Sequence, residues 1–456
     1  MKTKILKIGK ALMILLGIIP TLTFSQKPKT WEWADNILGT NKDYSYSLVT
    51  DNDGNSYVAG SFSDTLKVGN LTLISKGSFD IYLLKYDSKG TLLWAKQSGG
   101  TDYDEAYGVA FDPEGNVFLT GYFSGSANLS GVQVKSKGDR DFFITKYTKT
   151  GSVAWAKQGD GTVGDYATAV ATDLNGNVFI TGLFKGTLSF GGTDYVAKGG
   201  KDIFLAKYSS SGDFKWVRTG GGNKLDESIA IMTDKNGNCY VTGDFEGTAE
   251  FNKKIALSVG SKDVFLVKYD SDGDIEWLKR GGSVNGNAHA SGIDIDDSAN
   301  VYIAGYFSGT AHFGKAELTN SGSDAVFLVK YNSEGDAKWA IQTAGKGNEH
   351  ASAIKIDSKK NIYVAGEYDL DFAFGEANIK NIGNWDIFIL KYNTSGEMLD
   401  VTQIGGTGYD KAYDIGLDGQ SNVYITGYFS KAIIIGNTHL TSTDPDDSFL
   451  AKLKGF

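Results

Sequence analysis

Six carboxyl side chains recur along the chain at a nearly fixed spacing: Asp43, Asp104, Asp165, Asp226, Glu349 and Asp410, with Ala288 in the one remaining place. Each opens a short apolar run. Acids spaced this way meet only if the chain returns to the same place once per interval. Gathered around one opening they would form a negative funnel that draws in cations or a cationic ligand. The other reading is that each acid caps the loop leading into its own strand. The next residue along varies more, since Tyr44, Glu105, Tyr166 and Glu227 give way to His289, His350 and Lys411. Trp385 stands before another apolar run, where the corresponding places hold Phe79, Arg140, Lys201, Lys262, Asp324 and Asp446. A residue present at every interval serves every interval, so ligand chemistry belongs where the pattern breaks. Trp385 would offer a stacking platform for a sugar ring, with His289, His350, Glu349 and Asp410 as polar contacts; drift in a tolerant loop is the alternative. The candidate ligand-binding residues are therefore Asp43, Asp104, Asp165, Asp226, His289, Glu349, His350, Trp385, Asp410 and Lys411.

Other candidates carry less chemistry. A first-strand Asp (Asp51, Asp112, Asp173, Asp234, Asp296, Asp357, Asp418) and a third-strand Lys (Lys85, Lys146, Lys207, Lys268, Lys330, Lys391, Lys452) occur in every interval. They could make a charged ring, but a turn cap plus a lysine stem packed between sheets explains a pair that never varies. The D-x-D-G-N of Asp51 to Asn55 resembles the start of a calcium loop. The other six versions lose the alternating acids, and none supplies the bidentate Glu such a loop requires. Gly159 to Gly164 matches GxGxxG but opens no helix, so the phosphate-binding mechanism lacks its N-terminal dipole. HExxH, CxxC and GxSxG are absent from the sequence. No metal, cofactor or catalytic residue is expected. Cys239, the one cysteine, fills a slot held elsewhere by Val or Ile and reads as a small buried hydrophobe.

The element that must position these residues is a repeat. The marker residues Asn55, Asn116, Asn177, Asn238, Asn300, Asn361 and Asn422 are separated by 61, 61, 61, 62, 61 and 61 positions. A fixed period decides architecture before local propensity does. Copy two, from Asp104 to Gln158, shows four β-branched and aromatic runs, with a loop of small polar residues between the second and third. Pro113-Glu114-Gly115-Asn116 and Thr148-Lys149-Thr150-Gly151 supply hairpin turns. Four antiparallel strands, apolar on both faces, need neighbours on both sides. Seven such sheets around an axis form a β-propeller, which suits this period better than a solenoid. The fourth-strand Trp recurs at Trp94, Trp155, Trp216, Trp277 and Trp339, and one interval before Trp94 lies Trp33. The segment Trp31 to Ile37 should therefore complete the seventh blade beside Phe449 to Leu453 and close the ring.

The D-x-x-G-N turn, the V-Y-V-T-G-Y-F and D-I-F-L-A-K-Y strands and the W-A-K strand resemble those of the seven-bladed β-propeller repeat (SBBP) family of exported bacterial proteins. The resemblance covers Trp31 to Phe456 and implies the fold; that family carries no common activity. This chain departs from it at Asp324-Ala325-Val326, at Asp400 in a Trp slot and at Leu453 in a Tyr slot.

Residues 1–25 read as a secretory signal, with Lys2, Lys4, Lys7 and Lys10 before the apolar run Ala11 to Pro20 and cleavage expected between Ser25 and Gln26. The mature propeller, residues 26–456, would then be exported. Removing those four lysines takes the formal charge from −9 to −13, which argues against nucleic acid or anionic lipid as a partner. The sequence thus points to a monomeric binding or scaffold protein of the cell envelope, gripping a protein or glycan on the loop-rich face and not inserted in the membrane. Two alternatives stay open: a structural envelope component, and a glycan hydrolase or lyase using rim carboxylates.

Overall fold

The computed structural model describes residues 29–320, 322–374, 377–442 and 446–456; the signal segment, 1–25, lies outside the described residues. Seven antiparallel sheets stand around a central channel, with each copy's first strand innermost. The expected four blade strands are present. In copy two they are Asp104–Phe111, Val117–Phe123, Asp141–Tyr147 and Val153–Gln158. Their second and third strands are buried along their whole length, because neighbouring sheets cover both faces.

The stretch read as a loop between the second and third strands is itself a hairpin, Ser126–Leu129 and Val132–Lys135 in copy two. It pairs with the fourth strand of the preceding copy, Ala127 opposite Gly100 and Asn128 opposite Gly99. A blade is thus four strands widened by its neighbour's hairpin. The hairpins of copies three and six, at Thr187–Val196 and Phe372–Ile379, remain two-stranded sheets of their own. Fourth strands that accept a hairpin run on past this point, four of them through a glycine at one position (Gly99, Gly221, Gly282 and Gly405) and Thr30–Gly39 through Leu38. Copies two and five place Asp160 and Ala344 there, and their fourth strands stop at Gln158 and Gln342.

Thr30–Gly39 pairs antiparallel with Asp447–Lys454, from Trp31 opposite Leu453 to Ile37 opposite Ser448. The front of the chain therefore supplies the seventh blade's fourth strand. Adjacent blades are pinned by the fourth-strand tryptophan. Trp216 donates its indole N–H to the Ser271 carbonyl at 3.3 Å and lies edge-on to Phe179. Copy six has Asp400 in that slot, and two other residues fill the gap. Phe456 packs its ring 6.1 Å from Tyr363, the partner a tryptophan would have had, and Lys29 forms an ion pair with Asp400 at 2.6 Å.

The invariant Asp and Lys are structural. Asp112 caps its turn by accepting the Asn116 amide at 2.9 Å. Lys146 reaches the Ser210 carbonyl of the next blade at 3.0 Å and Asp112 at 3.2 Å. No charged ring results, and the same capping in copy one (Asn55 N–H to Asp51 at 2.8 Å) accounts for the calcium-like loop.

Candidate functional site

The recurrent acids do not face the channel mouth. Asp43, Asp104, Asp165, Asp226 and Asp410 are wholly buried and Glu349 nearly so. Each sits at the junction with the preceding blade, where Asp104, Asp165 and Asp226 cap backbone amides. Asp104 accepts the amides of Gly100 and Ser124 at 2.6 and 3.2 Å, Asp165 that of Phe142 at 2.8 Å, and Asp226 that of Gly222 at 2.7 Å. A Cβ at Gly161 would fall 1.8 Å from Asp165 Oδ2, so this glycine of the GxGxxG match makes room for a carboxyl. Burial pushes Asp104, Asp226 and Glu349 up to about 7 and Asp165 and Asp410 to about 8, with a carboxyl of the preceding blade (Asp80, Asp202, Asp141, Asp386) adding to it for the four aspartates. The expected cation funnel is corrected by one residue of register, since neighbours on a strand point to opposite faces.

The following residue faces the lumen instead. At the loop-rich mouth stand Tyr44, Glu105, Tyr166, Glu227, His289, His350 and Lys411, all half-buried. A β-bulge two residues on, as between Ala290 and Gly292, turns a further side chain of each inner strand to the channel. Two stacks of aromatic and imidazole rings converge on this mouth.

The first stack joins residues expected from the sequence. Trp385 lies 5.2 Å from His350, which lies 4.1 Å from Tyr306, which lies 4.8 Å from His289, at tilts of 37°, 32° and 38°. Carboxylates fix the imidazoles from behind. Asp324 is 3.0 Å from His350 Nε2, and Glu367 is 3.9 Å from His350 Nδ1 and 2.9 Å from Lys411 Nζ. His289 Nδ1 meets the buried Asp244, which also has Lys262 at 3.7 Å. The structure thus brings together His289, His350, Trp385 and Lys411 and leaves Glu349 and Asp410 inside the blade junctions. Sequence reasoning missed Tyr306, Asp244 and Glu367. Their signal was available: one second-strand column reads Ser61, Tyr122, Leu183, Asp244, Tyr306, Glu367, Tyr428 amid otherwise regular strands.

The second stack was not expected. From the exposed Tyr103 it passes to Phe79 (5.8 Å), Tyr44 (6.4 Å) and Tyr46 (5.5 Å), with successive planes within 26°. Tyr46 then touches Tyr107 and Tyr413 inside the channel. Burial raises all three phenols, so their hydroxyls stay protonated; that of Tyr107 is donated to Glu105 Oε2 at 2.7 Å. Between the stacks, Arg140 lies over Tyr122 at 4.6 Å and Lys201 over Tyr166 at 5.3 Å. Among the described residues no three His, Cys, Asp or Glu side chains are grouped to hold a metal, and no helix is long and apolar enough to cross a membrane.

This geometry defines a seven-bladed β-propeller with a decorated mouth. Residues 93–124 and 401–428 match the family model described as beta-propeller repeat, SBBP, so both stretches are repeats of the kind the sequence resembles. An uncharacterized WD repeat-containing protein of Acanthamoeba polyphaga mimivirus is 24% identical over 88% of this chain, and regulatory protein FlaEY of Caulobacter vibrioides is 34% identical over 36% of it. The chain spans 36% of the first relative's length and 18% of the second's. Among solved structures, the WD40 beta propeller domain of Doa1 is similar with a TM-score of 0.50 at 9% identity, covering 94% of this chain and 98% of that one. Polysaccharide lyase Uly1 has a TM-score of 0.48 at 9% identity, covering 92% and 91%.

Proposed function

We propose that this protein is an exported binding propeller of the cell envelope that grips a glycan at the loop-rich mouth. One observation carries the reading: Trp385, His350, Tyr306 and His289 form a continuous half-buried stack, flanked by carboxylates and Lys411, in the sector where the inner-strand and second-strand columns change residue type. A pyranose presents an apolar C–H face and a hydroxyl edge. The indole and phenol take the first, and imidazole N–H, ammonium and carboxylate groups take the second. The carboxylates at the stack are engaged by imidazole or ammonium groups and form no free acid and base pair across a bond, which favours binding over hydrolysis.

The test is a thermal-shift screen of residues 26–456 against polysaccharides and envelope fractions. Ligand at 100 times its dissociation constant adds about 2.7 kcal/mol to the folded state. The expected result is a shift with a glycan that is lost in Trp385→Ala while the unliganded melting temperature is kept. A glycan shift that survives Trp385→Ala would remove the stack from the site.

A further inference from the structure

Below the mouth the channel is asymmetric. At mid-height Tyr46 packs 5.2 Å from Tyr107 and 5.1 Å from Tyr413, a wall of three phenols from copies one, two and seven. The same bulge position holds the much smaller Thr168, Ser291 and Ser352 in copies three, five and six. The lumen between the two arcs has a volume of about 400 Å³, at the small end of the roughly 300–1,000 Å³ typical of small-molecule sites. Deeper in the channel wall is Lys355, where the same column reads Val49, Ala110 and Met232 in other copies. Among the described residues the Lys355 ammonium makes no hydrogen bond or close ion pair. Two carboxyls, the buried Asp294 and the half-buried Asp414, act on it electrostatically. Asp294 accepts the Ile356 amide at 2.7 Å, and Asp414 accepts the Leu48 amide at 2.8 Å and the Ser47 hydroxyl at 3.2 Å.

We propose that this lumen binds a single uncharged pyranose, the end unit of the glycan whose next units lie across the Trp385 stack. The proposal rests on the glycan reading above and adds the position, the polarity and the charge of the unit recognised. The phenol wall takes the apolar face of the sugar, and the hydroxyls of the opposite arc take its edge. Lys355 donates to a hydroxyl or the ring oxygen. Asp294 and Asp414 leave this part of the wall with more carboxyls than ammonium groups, so a sugar carboxylate entering the lumen would lose its hydration beside two acids.

The second stack ends at this lumen in Tyr46, Tyr107 and Tyr413, and His289 and His350 of the first stand two residues before the lumen-lining Ser291 and Ser352, so a chain seated on the first lies above the phenols. Terminal recognition is the reading that fits a lumen of about 400 Å³ set below a mouth that carries the Trp385 stack.

The experiment is calorimetric titration of glucose, galactose, mannose and N-acetylglucosamine, their tetrasaccharides and glucuronate into the wild type and two variants. Ser291→Tyr plugs the lumen with the side chain its own column carries in copies one, two and seven, so the blade has a precedent for accepting it; Thr168→Tyr is a second plug from another blade. Wild type is expected to bind one uncharged monosaccharide and its tetramer, with glucuronate at least tenfold weaker. Each plug should cost tenfold or more for both ligands, and Trp385→Ala should weaken the tetramer more than the monosaccharide. Unchanged sugar affinity in both folded plugs, with loss in Trp385→Ala, overturns the lumen site and leaves the glycan reading standing. Glucuronate binding as tightly as glucose overturns the charge argument. Absence of sugar binding to the wild type overturns both readings.

Discussion

At the scale of single residues, the buried acids at the blade junctions carry a measurable consequence. Asp165, raised to about 8, and Asp104, raised to about 7, are both held well above an ordinary aspartate by burial. For such a group the folded state holds its proton more tightly than the unfolded chain does. Its stabilising contribution is complete below the unfolded value near 4 and is lost as pH rises through the folded value. Thermal unfolding should therefore give a higher melting temperature at pH 5 than at pH 8.5. Asp165→Asn, which resembles the protonated acid in shape, should raise the melting temperature at pH 8.5 more than at pH 5. A pH-independent difference between variant and wild type would show that Asp165 does not titrate in this range. The same residues explain why copy five tolerates two departures. Ala288 leaves Asp263 to Arg280 at 3.2 Å, and Ala325 leaves Glu349 to the Thr343 hydroxyl at 3.0 Å.

At the scale of elements, the turn between the first and second strands needs a left-handed residue at one position. Gly54, Gly115, Gly176 and Gly237 provide it, with Gly115 at φ +81°. Copies five to seven instead force Ala299, Lys360 and Ser421 to φ +58°, +66° and +63°. A side chain in that region costs about 1–2 kcal/mol relative to a right-handed conformation, and glycine removes the strain while adding unfolded-state entropy. Lys360→Gly should accordingly raise stability by about 1 kcal/mol in denaturant unfolding; a loss of stability would mean that the Lys360 contact with Ser298 at 3.2 Å outweighs the strain. The turn was legible because Asp, Gly and Asn declare it. The hairpin between strands two and three was not, because four-residue runs such as Ser126–Leu129 are polar and short, and where they join a blade it is by hydrogen bonds to the neighbour's fourth strand.

At the scale of the whole molecule, closure depends on one strand borrowed from the other end of the chain. Thr30–Gly39 carries the fully buried Ile37 and covers the edge of Asp447–Lys454. Without it the seventh blade would expose a long unpaired edge. Deleting Thr30 to Ile37 should lower the unfolding midpoint and break the single transition into a broader one, as outer blades fray from the open seam. An unchanged midpoint in that deletion would refute closure by this strand.

The sequence by itself determined the seven-fold period, the propeller and the borrowed strand, because spacing and strand-turn chemistry are local and recur in all seven copies. It also determined the sector of interest, since His289, His350, Trp385 and Lys411 break the pattern in copies five to seven and do meet at one mouth. What only the tertiary structure decided was which side of the inner strand faces the lumen. A period-two alternation places Asp43 and Tyr44 on opposite faces and does not say which face is inward, and the β-bulge resets the alternation one turn of the pleat later. The buried carboxyls, the two stacks and the phenol wall all follow from that orientation. Residues such as Tyr306 and Tyr46 become neighbours of the candidate site only when seven sheets are wrapped around one axis.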